Sequence, residues 1–332
     1  MPMQHYPTVF ECTEMTAAVN KLPARPFFFK PLFEVKGVKT TTVSLDIRKG
    51  RIVLIGDSER NTAPESLAGR GARREWKHLS CAHLAQSDTL APEDLQDVRA
   101  FGSTEPISVA AVYNDKMQQL KDNLAATMEF HRLGAIKGVV LDADGSTVLH
   151  DIFNTFGATK KTLDISFPQT AAGDANPILT SILKAKRHVE AAMGGTPFDH
   201  IECIIGSDAY DMLTSHKLVR EYFERWLSNR ENFGDNDYRK RGFPYGGLTF
   251  VERSDVVGGQ TMVAAKKGHV YPVGPGIFKQ FHAPADWMET VNTIGLEYYA
   301  RMDEKPKGRG FDLEVQSNPL TLCTYPEALV EL

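Results

Sequence analysis

Residues 83–103 read HLAQSDTLAPEDLQDVRAFGS. The first eight complete an extended leg, HLSCAHLAQSDTL, that begins at His78. The remainder leads into STEP, 103–106, where Pro106 suits the first turn of a helix. A strand-like leg therefore ends here and a helix begins, and the fold follows from what lies on either side.

Upstream, VKTTTVSLDIRKGRIVLI (38–55) alternates Val43, Leu45 and Ile47 with polar residues and resumes with Ile52 to Ile55 after an RKG turn. This pattern predicts a β-hairpin or a pair of extended strands. The tract SERNTAPESLAGRGARREWK (58–77) has little apolar content. Two extended legs joined by a charged tip describe a long loop, and such a loop needs a function or a partner. Its return, GRGARREWKHLSCAHLAQSDTL (69–90), gathers Arg70, Arg73, Arg74, Trp76, Lys77, His78, Cys81 and His83. Residues 1–33 read as irregular, because Pro2, Pro7, Pro23, Pro26 and Pro31 break any long helix. Within them RPFFFKPLF (25–33) sets Phe27, Phe28, Phe29 and Phe33 together without periodicity. Such a segment either folds back on its own core or finds its apolar partner on another subunit.

Downstream, Val109, Val112, Met117, Leu120, Leu124 and Met128 recur at helical spacing up to Gly134. They predict a helix over about 107–134, about 40 Å long, whose apolar stripe is core. KGVVLDADGSTVLHDI (137–152) follows as a hairpin turning at Asp144-Gly145. From 156 onward strands and helices alternate. TLDISF is a strand, NPILTSILKAKRHVEAAM a helix ended by Gly194-Gly195, HIECIIG a buried strand, and SDAYDMLTSHKLVREYFERWL a helix capped by Ser207. After the polar loop SNRENFGDNDYRKRGFPYGG, LTFVER and TMVAAKKGHVYPV are strands of a mixed α/β layer.

The 332 residues are 42% apolar, enough for one or two cores, and 42 acids against 38 bases leave a net charge of −4. That balance argues against a whole-protein nucleic-acid clamp. Apolar runs such as GVVL and CIIG are too short for a membrane span or a secretory signal. Cys12, Cys81, Cys203 and Cys323 form no CxxC pair and read as reduced, mostly buried thiols.

Catalytic signatures are scarce: the chain has no GxSxG, HExxH or P-loop. His78, Cys81 and His83 offer three ligands or a thiol nucleophile, yet on a strand Cys81 and His83 share a face while His78 points away. A tetrahedral zinc would also need a fourth ligand. Asp142, Asp144 and Asp151 surround a turn, where Asp is expected for turn chemistry. The bases of 70–77 and of DYRKRG, Arg239 and Arg241 among them, read as a solvated or subunit-contact face rather than a phosphate track.

The same 83–103 stretch resembles a segment of the major capsid proteins of lambda-type tailed bacteriophages, the major capsid protein E family, through D-x-L-x-P-E-D-L-Q-x-V-R-A-F-G. HVYPVGPGIFKQFHAPADWMETVNTIGLEYYARM (269–302) and KGRGFDLEVQSNPLTLCTYPEALVEL (307–332) are similar to that family's closing pattern, and RPFFFKPLFE fits its amino-terminal part. The resemblance implies an α+β chain with the Hong Kong 97 phage capsid fold. Its parts would be an N-terminal arm (1–33), an extended β loop (34–90), a peripheral domain with a long spine helix (91–155), an axial α/β domain (156–304) and a return to the peripheral domain (305–332). It further implies pentamers and hexamers that close an icosahedral head around the genome, in the host cytoplasm, with no enzymatic activity and no cofactor. Partners would be identical copies, portal and scaffolding proteins, a decoration protein where one exists, and packaged DNA through weak non-specific contact only.

Phe27, Phe28, Phe29, Phe33, Arg70, Arg73, Arg74, Trp76, Arg239 and Arg241 are the candidate subunit-interface residues. The competing readings are a metal- or thiol-dependent hydrolase using His78, Cys81 and His83, and a basic-patch nucleic-acid-binding protein.

Overall fold

A computed structural model describes residues 12–22, 27–48, 74–94, 96, 109–163, 176–228 and 238–332. In chain order the elements begin with α1 (Cys12–Lys21), β1 (Phe33–Gly37), β2 (Thr42–Arg48), β3 (Arg74–Ser80), β4 (Leu84–Leu90) and α2 (Val109–Lys137). Then come β5 (Val139–Leu141), β6 (Val148–Asp151), α3 (Ile152–Phe156), β7 (Lys161–Thr162), α4 (Pro177–Met193) and β8 (His200–Ile205). α5 (Ser207–Ser215), α6 (Lys217–Ser228), α7 (Tyr238–Arg241), β9 (Phe243–Tyr245), β10 (Leu248–Glu252), β11 (Val256–Val257) and β12 (Gln260–Thr261) follow. The series ends with β13 (Gly268–Val273), β14 (Phe278–His282), β15 (Tyr299–Glu304), β16 (Phe311–Ser317), β17 (Pro319–Cys323) and β18 (Val330–Glu331).

These elements form two compact units. One comprises Met1–Val43, Leu79–His131 and Lys279–Thr321, the other Ser44–His78, Arg132–Phe278 and Leu322–Leu332. The β5–β6 hairpin groups with α4 and β8, and 279–304 with the main part of α2.

In the first unit β16 lies between β15 and β4, antiparallel to both, with Phe311 opposite Glu304 on one side and Leu90 on the other. Against this sheet pack α2, through Met117, Leu120, Leu124 and Met128, and α1, through Met15 and Val19. The stripe on α2 thus reaches core as its spacing predicts. Helix α1 departs from the irregular reading of 1–33. It occupies the proline-free interval between Pro7 and Pro23, where Met15 and Val19, four apart, bury one face. Buried Lys121 holds its end, donating to the carbonyls of Val19 at 2.8 Å and Leu22 at 2.7 Å, as cations do at helix C-termini.

α2 also runs past Gly134 to Lys137 and stops at Gly138, whose φ of 84° is left-handed. Gly134 is interior because a Cβ there would stand 2.8 Å from the Val140 backbone, so the helix and β5 meet closely.

The second unit is built on a six-stranded mixed sheet in the order β7-β18-β13-β8-β10-β9. β8 is parallel to β10 and antiparallel to β13, and the buried Ile201, Cys203, Ile204 and Ile205 make it central. Helix α4 begins and ends as its sequence dictates: the Asn176 side chain accepts from the Leu179 amide, Pro177 opens the first turn, and Gly194 closes the helix at φ 60°. Its stripe of Ile178, Ile182, Val189 and Met193 is buried.

Where one helix was expected over 207–227, α5 and α6 are separate, because His216 turns extended at ψ 132°. Ser207 is the first helical residue, not the cap. Gly206 stands at the cap, where a Cβ would lie 2.2 Å from the Ala264 carbonyl oxygen. Of TMVAAKKGHVYPV only Gly268–Val273 forms the long strand, and TLDISF lies outside the described residues beyond Leu163. β18 belongs to this sheet, so the final segment divides between the two units.

Candidate assembly surfaces

Of the expected loop legs, 38–55 and 78–90, the β4 part of the second joins β16 in the first unit's sheet, whereas β2 and β3, among the described residues, pair only with each other. Val43 and Leu79 are buried at their base, while Ser44 and His78 are exposed and joined by a 2.8 Å hydrogen bond. A two-stranded ribbon alone is marginally stable in water and gains from being covered. β2 pairs with β3, and the 52–55 stretch lies with Arg70 and Arg73 outside the described residues. Arg74 and Trp76 are on β3.

The phenylalanines divide. Phe29 is 1% and Phe33 6% exposed within their own chain, so neither stands free to meet another subunit. The proline-flanked segment is drawn inward by the Phe29 amide, which donates to the buried Glu129 carboxylate at 2.7 Å. Phe27 and Phe28 remain half-buried, Phe27 against the α1–α2 core and Phe28 edge-on to Phe29 at 5.1 Å.

Arg239 is exposed on α7 and lies 3.7 Å from buried Glu252, and Lys240 is 3.9 Å from Asp255. Interspersed acids thus offset this basic stretch. Arg241 ends α7.

His78, Cys81 and His83 do not converge. His78 is engaged with Ser44, and His83 Nδ1 lies 2.9 Å from Asn318 Oδ1. Burial pushes the Cys81 thiol up to about 11, which keeps it protonated and weakly nucleophilic near neutral pH. Among the described residues no three His, Cys, Asp or Glu side chains are placed to hold a metal. Asp144 spends its carboxylate on the amides and hydroxyls of Ser146 and Thr147, and Asp151 caps α3 through the Asn154 amide, which is the turn chemistry expected of them. Cys81 and His83 do share surroundings: with Lys39, Thr40, Ala283, Pro284, Val291 and Asn292 they line a recess of about 580 Å³ in the first unit. Sequence reasoning missed this recess because its walls come from five separated segments.

In the second unit Glu331 on β18 is 7% exposed and ion-paired with Lys160 and Lys267. Burial raises its carboxyl, but the two lysines outweigh that and hold it at about 2. Burial, reinforced by the charge on Lys137, holds the neighbouring His269 at about 3, so it is neutral.

A spine-type helix packed on an antiparallel sheet, a mixed-sheet unit and a paired strand ribbon define a subunit of the Hong Kong 97 phage capsid type, with an α+β fold. The chain belongs to the phage major capsid protein E family, whose model matches residues 11–332. It is 26% identical to the major capsid protein of Pseudomonas phage KPP10, over 97% of this chain and 96% of that one. To the major capsid protein of Salmonella phage Felix O1 it is 24% identical over the same shares. The fold is similar to the capsid of Ralstonia phage GP4, with TM-score 0.53, 11% identity and coverage of 91% of this chain and 88% of that chain. It is also similar to the capsid of Myoviridae phage XM1, with TM-score 0.50, 11% identity and 94% of each chain. The role of this protein is structural, as a capsid subunit of a phage virion.

Proposed function

We propose that the chain works by association alone, forming pentamers and hexamers through heterologous contacts that close a head around the genome. The β2–β3 ribbon and the tip it carries lie over a neighbouring copy. The first compact unit serves as the peripheral domain and the second as the axial domain. Phe27, Phe28, Arg70, Arg73, Arg74, Trp76, Arg239 and Arg241 are the contact residues of this proposal. Ion pairs at such surfaces contribute only about 0–1 kcal/mol each, so the arginines set register and partner choice while apolar burial supplies affinity.

Assembly takes place in the host cytoplasm with scaffolding and portal proteins, and packaged DNA meets the wall by weak non-specific contact, in keeping with a net charge of −4. The observation that carries this reading is the ribbon itself, a pair of strands that joins no larger sheet among the described residues. Negative-stain images of the expressed protein test it. Rings or closed particles are expected, and a chain that stays monomeric at high concentration contradicts it.

A further inference from the structure

Residues 286–296 form a loop whose inner side is anchored to its own unit. Trp287 is buried edge-on to Tyr299, with ring centroids 6.2 Å apart. The buried Thr290 hydroxyl lies 2.7 Å from the Ala285 carbonyl and 2.9 Å from that of Trp287. The Leu296 amide donates to the Tyr299 hydroxyl at 3.0 Å, and the Gly295 amide to the Val38 carbonyl at 2.9 Å. A 3-10 turn spans Met288–Thr290, with Trp287 and Thr290 buried on the inner side and Met288, Val291 and Ile294 exposed.

The outward side chains are unusually bare: Met288 is 90%, Ile294 60%, Val291 57% and Leu296 46% exposed. Asn292 holds a left-handed φ of 62°, a conformation that costs a non-glycine residue free energy. A slack loop would tuck such side chains away, and this one is fixed with them outward, which lowers the entropic cost of docking. Val291 and Asn292 also line the recess beside Cys81 and His83, so an apolar ridge and a hollow are neighbours on one face.

We infer that this face is an interface between copies of the chain, the Met288–Val291–Ile294 ridge of one seating in the recess of another. The inference rests on the capsid reading, which surrounds each chain with identical copies. Because ridge and recess share a face, two copies of that face complement each other. Lys39 and Asp286 both line the recess and both are exposed, so two facing copies bring charges of opposite sign to it. The four apolar side chains offer on the order of 500 Å², below the roughly 800 Å² per partner of a stable complex. The contact is thus too small to hold a pair in dilute solution and forms when other shell contacts bring copies together.

The test compares assembly of the full chain with Met288→Asp, Ile294→Asp and Met288→Leu, by light scattering and electron microscopy, with circular dichroism and thermal melting of the unassembled protein. Wild type and Met288→Leu are expected to close shells. Each Asp variant is expected to keep the wild-type melting temperature and to raise the concentration needed for assembly about tenfold or more. Asp variants that close shells at the wild-type concentration overturn the inference and leave the ridge to a different protein or to another part of its own chain. Asp variants that unfold also overturn it, because a free ridge tolerates a charge. Failure of wild type itself to form particles is a separate result, which overturns the capsid reading.

Discussion

The Phe29 amide donates to Glu129 Oε1 at 2.7 Å, joining two buried residues a hundred positions apart in the chain. This bond fixes the Phe-rich segment to α2 before any second copy is present. Replacing Glu129 with Leu strands a buried N–H, which costs about 1–3 kcal/mol. Urea denaturation of the monomer should show that loss, whereas Glu129→Gln, which keeps an acceptor, should retain most of the stability. Equal stability of the Leu variant and wild type would show that the bond does not hold the segment.

Phe29→Ala should destabilise the unassembled chain by about 3–5 kcal/mol, as truncations of buried aromatics do. Phe28→Ala, at a half-buried ring, should cost much less in the monomer and act mainly on particle yield. Thermal melting of monomers, set against particle counts, separates the two. A Phe28 effect confined to monomer stability would assign that ring to the core.

The approach of Gly37 and Gly295 admits no side chain. A Cβ on Gly295 would stand 1.9 Å from the His282 carbonyl oxygen, and one on Gly37 2.2 Å from that of Gly295. The bonds from the Val38 amide to His282 (2.8 Å) and from the Gly295 amide to Val38 (2.9 Å) depend on this approach. Gly295→Ala is expected to cost more than about 2 kcal/mol by prising both apart, and to speed hydrogen exchange at Val38 and Gly295. Unchanged exchange would contradict the packing.

Acid should loosen the second unit. His269 is held at about 3, below its ordinary 6.5, by burial and then by Lys137, so between these values the unfolded chain binds the extra proton. Stability therefore falls as pH drops from 6.5 towards 3, by up to about 1.4 kcal/mol per pH unit for one such group. Glu331, held at about 2 against 4.5, adds a loss of the same sign below pH 4.5. Denaturation midpoints followed from pH 7 to 4 should decline, and His269→Gln should flatten the decline between pH 6.5 and 4.5. A midpoint that rises on acidification would refute the assignment.

Legibility in the sequence followed the range of the forces involved. α4 was readable to the residue because Asn176, Pro177 and Gly194 are local signals. The α2 stripe was readable as well, but its end was not: Gly134 looks like a stop, and only the approach of Val140 makes it interior. The ten-residue α1 was hidden in the proline-free gap between Pro7 and Pro23. The break at His216 has no Gly or Pro to announce it. The sequence left Phe29 and Phe33 open between their own core and another subunit, because their burial depends on distant partners such as Glu129. The 286–296 ridge lay inside the family-like stretch, where its period-three apolar spacing was visible in principle, but its exposure depends on anchors at Tyr299 and Val38 that no local pattern carries.

In the proposed shell a neighbouring copy completes the β2–β3 ribbon. The most direct measurement replaces residues 50–72 with an Asn-Gly turn that closes β2 onto β3 and examines the full chain by sedimentation velocity and electron microscopy. A folded protein that melts like the unassembled wild type and closes no shells is expected. Shells of normal size, formed at the wild-type concentration, would contradict it.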